Sequence, residues 1–312
     1  MGLSRIELLL IAATTLQNLS LAWLIGLVVL RHWLPANQRG RETMDGSKFG
    51  RSALFASTLL FALQFGLLWL EAAVMGDVAL KDAGSAVVDV LRGTHYGVVW
   101  TIGFAVTVLL IGLSALTNTA DRGRGRPMAT ALLVAVFAYT RSLISHAGDK
   151  GDVNWIVFLD WSHLLLIGAW VGEVLIATLL VLPRLYEASD GHATATFAHA
   201  LSHSATVILI GVVITGVTKA WLGIGSPANL IGTVYGQVLI VKLAFVSVAI
   251  ALGGFNRFLV LPEMHRVTQS TARGRVMRCG SQRRFLLVLQ VETFALLCAT
   301  AAAAVLSASA LP

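Results

Sequence analysis

Apolar residues gather into eight long blocks, near residues 6–30, 51–75, 94–117, 127–147, 155–182, 197–223, 233–257 and 284–308, and the charged residues collect mostly between them. A helix needs roughly 20 apolar residues to cross about 30 Å of hydrocarbon, and each block meets that need. Strands do not fit. An open sheet would leave backbone groups unpaired in lipid, and the alternation of a membrane barrel is absent. The pattern predicts an all-α polytopic membrane protein of about eight transmembrane helices. The first block is too long for a cleaved signal peptide and lacks both a strongly basic leader and a clear small-residue cleavage site, so it reads as a retained span.

Composition agrees with the pattern and adds orientation. Of 312 residues, 56% are hydrophobic and 12% charged, and the mean hydropathy of +0.78 lies outside the range of ordinary soluble domains. The net charge of +7 does not point to nucleic acid, because the basic residues sit in short loops without interleaved aromatics. They set topology instead. Sixteen Lys and Arg follow odd-numbered blocks, against four on the other side (Arg5, Lys81, Arg92 and Lys150), which predicts that both termini face away from the cytoplasm of a bacterial inner membrane. Cys279 and Cys298 form neither a CxxC pair nor a disulfide framework.

Two internal echoes suggest a duplication. Thr94-His95-Tyr96-Gly97 opens the third block and Thr233-Val234-Tyr235-Gly236 the seventh, while Trp23 with Gly26 in the first block matches Trp170 with Gly172 in the fifth. Four spans are an even number, so the expected halves, residues 1–150 and 151–312, would be parallel four-helix repeats about an axis along the membrane normal.

Polar groups inside a bilayer cost at least a few kcal/mol unless paired or hydrated, which makes them the first candidates for function. The outer ends of the blocks carry Glu71, Met75, His95, His146, Asp160 and His163. His146 and His163 flank a short connection, and Asp160 and His163 share a helical face with Trp170 seven residues further in. Imidazole with a carboxylate or thioether suits copper, and zinc would tolerate the same set. The expectation is one outer metal site of His146 and His163, with His95 as third ligand and Asp160, Glu71, Met75 and Trp170 supporting it. Interfacial histidines hydrogen-bonded to backbone are the competing reading. At the inner side, His199 and His203 have the i, i+4 spacing of a metal pair, although a solvated helix start explains them as well. Deeper in the blocks, Glu173 and Lys242 are expected to form a buried ion pair, with Glu173 as a proton or cation relay the alternative; Arg141 and Glu292 also need partners.

Ser145-His146-Ala147, then Asp160-Trp161-Ser162-His163 leading to Trp170-Val171-Gly172, resembles the histidine-alanine and aspartate-x-x-histidine to tryptophan-x-glycine pattern of the copper resistance protein D (CopD) family. Thr233-Val234-Tyr235-Gly236 running to Lys242, and the following Asn256-Arg257, are similar to the same family. The resemblance implies an inner-membrane protein of copper resistance or uptake, often served by a small periplasmic copper carrier, with His146 and His163 as the positions carried over. The chain departs from simple expectation in having no Met-rich or His-rich outer loop and in placing Glu173 after Gly172. A copper permease is the first functional expectation, uptake favoured over export because the best site faces outward. A haem-binding electron-transfer protein and a copper-holding assembly factor are the alternatives. No hydrolytic triad, metalloprotease helix or phosphate-binding loop is present, so no enzyme is expected, and uphill movement would need an ion gradient or a partner.

Overall fold

The computed structural model describes residues 4–33, 46–116, 125–187, 191–269 and 274–309. Arg39, Arg41, Arg122, Arg124 and Arg273, which contribute to the expected orientation, lie outside them. The described residues are helical throughout, without a strand. In chain order the helices are α1 (Arg5–Trp33), α2 (Gly46–Met75), α3 (Ala83–Gly93), α4 (His95–Ala115), α5 (Gly125–Leu143), α6 (Trp155–Ile176), α7 (Leu182–Glu187), α8 (Gly191–Ile224), α9 (Asn229–Gly232), α10 (Val234–Phe255), α11 (Leu261–Gln269) and α12 (Gly274–Ala308). Seven stretches among them are long and apolar enough to cross a membrane. The eighth expected span is α5, whose 19 residues reach about 28 Å but whose Arg126 and Arg141 lower its hydropathy.

Local sequence explains where the helices begin and bend. Ser4 and Glu7 close a reciprocal capping box on α1, Ser4 N–H donating to Glu7 Oε2 (2.7 Å) and Glu7 N–H to Ser4 Oγ (3.2 Å). Pro183 and Pro262 cannot continue an α-helical ladder, and each follows a π turn, Ala177–Val181 and Asn256–Val260, that lets the chain pass without a break. Helix α3 has no counterpart among the expected blocks. Its Ala83, Ala86 and Val90 recur along one face, and Ala86 and Val90 pack against Leu68, Ala72 and Trp100.

The two Thr-x-Tyr-Gly segments build the same structure. Thr94 and Thr233 both cap a helix, at φ −124° with ψ 153° and 154°, and their hydroxyls accept from Gly97 N–H (3.0 Å) and Gly236 N–H (3.1 Å) while donating to Val90 and Asn229 carbonyls (2.7 Å each). Glycine is required three residues on, because a Cβ on Gly97 would meet Leu91 Cα at 2.6 Å and one on Gly236 would meet the Leu230 carbonyl carbon at 2.6 Å. Thr94→Ala and Thr233→Ala should each cost about 1 kcal/mol, seen as a melting temperature lower by a few degrees in detergent.

Helices α1 and α6 form the centre. They cross so closely that a Cβ on Gly26 would lie 2.7 Å from Gly172 Cα, an approach that only small residues permit. Around this crossing α1, α2, α4 and α5 pack on one side and α6, α8, α10 and α12 on the other, with α12 also resting on α1. The two groups differ at one seam. Phe61, Phe65, Trp100 and Phe104 zip α2 to α4 with ring centroids 5.1–5.6 Å apart, whereas α8 and α10, next to each other in chain order like α2 and α4, barely touch. A crevice opens between them, with α6 as its back wall.

Candidate functional site

Depth along the helices decides which polar residues meet. Asp160 lies five residues into α6 and Lys219 five residues before the end of the antiparallel α8, and their side chains form an ion pair at the crevice wall. Lys242, eight residues into α10, faces the same pair, and so does Tyr235. His163, eight residues into α6, is buried behind them, within electrostatic range of Lys219 and Lys242. Glu173 is ten residues deeper than Lys242 by the same measure, about 15 Å, which is why the expected Glu173–Lys242 pair does not form. Instead Glu173, fully buried, accepts from Trp33 Nε1 (2.6 Å) and Ser204 Oγ (2.7 Å), while its Oε2 has no hydrogen-bond partner.

The His163 ring is held in a defined state. Thr215 Oγ donates to the Gly211 carbonyl (2.7 Å), so it receives the hydrogen of His163 Nδ1 (2.8 Å) and leaves Nε2 with its lone pair. A second partner fixing one ring nitrogen is the usual support of a metal-binding imidazole. Gly216 gives the ring room, since a Cβ there would stand 3.2 Å from Cε1.

The other two histidines sit at the rim and not beside His163. His146 does not end a helix: α5 stops at Leu143, Ser145 caps a 3-10 turn from His146 to Lys150, and His146 Nδ1 lies 3.8 Å from Asp149 Oδ2. His95 Nε2 bonds Asp152 Oδ1 at 2.8 Å, and Tyr139 Oη ties the Asp152 carbonyl to α5 (2.7 Å). One loop thus carries His146 and both carboxylates. Helix geometry keeps His163 apart, because Trp161, two residues away and so about 200° round α6, is the residue turned to α5, where its Nε1 bonds the Ala135 carbonyl (2.8 Å). Among the described residues no three His, Cys, Asp or Glu side chains stand together as a metal cluster.

The supporting residues also divide. Glu71 and Tyr96 share a charge environment with Arg141, which also senses Asp160, so Arg141 links the α2 end to the crevice. Met75 is exposed. Trp170 turns away from the outer histidines and lines an inner cavity together with Glu292 of α12. His199 and His203 are exposed near the start of α8, as a solvated helix start would place them. The pairing of Asp160 with Lys219 and the Thr215 contact were not foreseen; equal depth from the helix ends was the signal that could have found the first.

The sequence profile for copper resistance protein D matches residues 191–306, and that for the copper resistance protein D-like N-terminal domain matches residues 5–155. The chain belongs to the copper resistance protein D family. It is similar to copper resistance protein D of Pseudomonas syringae pv. tomato, 24% identical over 264 residues that cover 81% of this chain and 82% of that relative. No solved structure matches it. The family and the apolar helices together make this a membrane protein of copper handling.

Proposed function

We propose that the chain is a copper permease of the inner membrane, taking copper ions at the histidine-bearing rim and passing them inward along the crevice between α8 and α10. His95 and His146, each with a loop carboxylate, are the entry ligands, and His163 is the first ligand within the membrane. The observation that carries this reading is the His163 imidazole, buried at the back of an open seam with Nδ1 anchored on Thr215 Oγ1, which leaves Nε2 as the ring nitrogen available to a ligand. A small periplasmic carrier of the kind the resemblance implies would deliver copper to this loop-built rim. An outward-facing entry site favours uptake over export.

Elemental analysis of protein purified from copper-loaded cells tests the site. His163→Ala should lose one copper per chain, and Thr215→Val, which keeps the imidazole but releases its anchor, should weaken copper binding about 10–100-fold. Unchanged copper content in His163→Ala, or a copper-free wild type showing a Soret band, would reject the assignment, the latter in favour of haem. Cellular copper accumulation, equal in wild type and in His146→Ala with His163→Ala, would remove transport through these residues.

A further inference from the structure

Further in, the crevice widens into a half-open cavity of about 230 Å³ whose lining is not uniformly apolar. Glu292, 4% exposed, reaches it from α12, with Trp170 lining the same space from α6. Asn256, also 4% exposed, lines it from the π turn, and neither its amide oxygen nor its amide nitrogen is hydrogen-bonded. Arg257 braces the wall, donating to the Ser202 carbonyl (3.1 Å), Ser202 Oγ (3.3 Å) and Thr206 Oγ1 (2.8 Å). Gly253 keeps α10 back from the carboxyl: a Cβ there would lie 3.4 Å from Glu292 Oε1. Leaving a buried amide unbonded costs about 1–3 kcal/mol for each group, and the cavity is wide enough to admit water, so hydration would satisfy Asn256. A carboxyl and an orphaned amide facing one cavity that can admit water form a protonatable site.

We propose that Glu292 is a proton-exchange site, its carboxylate taking a proton from hydronium and returning it to water through molecules held by Asn256. The oxygen donors are wrong for Cu(I), which prefers softer ligands, and Arg257, the one other charged residue lining the cavity among the described residues, opposes a second metal cation. From α6 the cavity receives Trp170 and apolar groups, and from α8 the hydroxyls of Ser202 and Thr206. Resting on the permease reading, this proton is the ion whose gradient moves copper.

Dicyclohexylcarbodiimide labels protonated carboxyls in apolar surroundings. On the full chain in detergent, peptide mass analysis should find the adduct on Glu292, falling about tenfold per pH unit above a midpoint. Glu292→Gln should lose the adduct, and Asn256→Leu, which dries the cavity, should keep it but lose the pH dependence. An unlabelled Glu292, or wild-type labelling indifferent to pH, overturns the site, and protection by sodium at fixed pH reassigns it to a metal cation. In proteoliposomes supplied with Cu(I), an imposed pH gradient should change the uptake rate of wild type but not of Glu292→Gln. Equal response of both overturns the coupling. Absent copper movement with intact pH-dependent labelling instead sinks the permease reading and leaves the proton site standing.

Discussion

Asp160→Asn is expected to destabilise the folded protein by on the order of 2 kcal/mol, because it leaves the Lys219 ammonium without its counter-charge inside the bilayer. A charge stranded at mid-membrane costs about 2.5–3.5 kcal/mol; the lower figure applies here because the pair lies only five residues from the helix ends and the Lys219 side chain is 36% exposed. Lys219→Met should cost a similar amount by stranding the carboxylate. The double substitution removes both charges together, so it should cost far less than the two singles added, and unfolding in mixed micelles gives the coupling directly. Additive losses would mean that the pair does not hold α6 to α8. The same variants bear on copper. With Lys219 in place the Asp160 carboxylate is occupied, so Lys219→Met should raise copper affinity if Asp160 joins the ion beside His163, and leave it unchanged if His163 acts without it.

The contrast between Asp160 and Glu173 shows how far the sequence alone could be read. Blocks of apolar residues revealed the helices, because a spanning helix has few alternatives in lipid, and the Thr-x-Tyr-Gly echo marked two caps that fold alike down to their hydrogen bonds. Partners inside the bilayer needed depth as well as type. Lys242 and Glu173 both look central in their blocks, but α6 runs on through the π turn into α7, and Glu173 lies far down that longer rod, beside Trp33 at the end of α1. The outer histidines divide for a rotational reason. A short connection brings His146 near the start of α6, but which face of α6 meets α5 is settled by the Tyr139, Phe158 and Trp161 rings, whose packing no motif announces. Helix α3 escaped notice because eleven residues with three buried positions are too short and too polar to stand out as a membrane block.

The open seam between α8 and α10 has the same kind of origin. In the first half four aromatic rings seal α2 against α4, while in the second half the facing positions carry Lys242, Lys219, Thr215 and, deeper, Asn256 and Arg257. Lysines that face one another repel, and long polar side chains cannot interdigitate as rings do, so the helices stand apart and leave a polar lane where apolar packing would have closed it.

Gly172→Leu should leave little folded protein, the largest loss expected from any single change. A Cβ at this position falls 2.8 Å from both Gly26 Cα and Gly26 N, and closer still to the Ala22 carbonyl oxygen. Every atom it strikes is backbone, so no rotamer change relieves the clash; α1 and α6 must separate along the crossing at the centre of the main core cluster. Overpacking ordinarily costs about 1–3 kcal/mol, and Gly172→Ala should sit at the top of that range, with leucine beyond it. Two other helical glycines make the control. Gly66 and Gly112 have nothing within 4 Å of an added Cβ, so alanine there should be neutral or gain about 0.5–1 kcal/mol from helix propensity. The measurement is the monodisperse fraction on size exclusion in detergent, followed by melting of whatever survives. If Gly172→Leu ran as a single peak with the wild-type melting temperature, α1 and α6 could not cross at these glycines, and the α6 wall that presents Asp160, His163 and Trp170 to the crevice would have to face elsewhere.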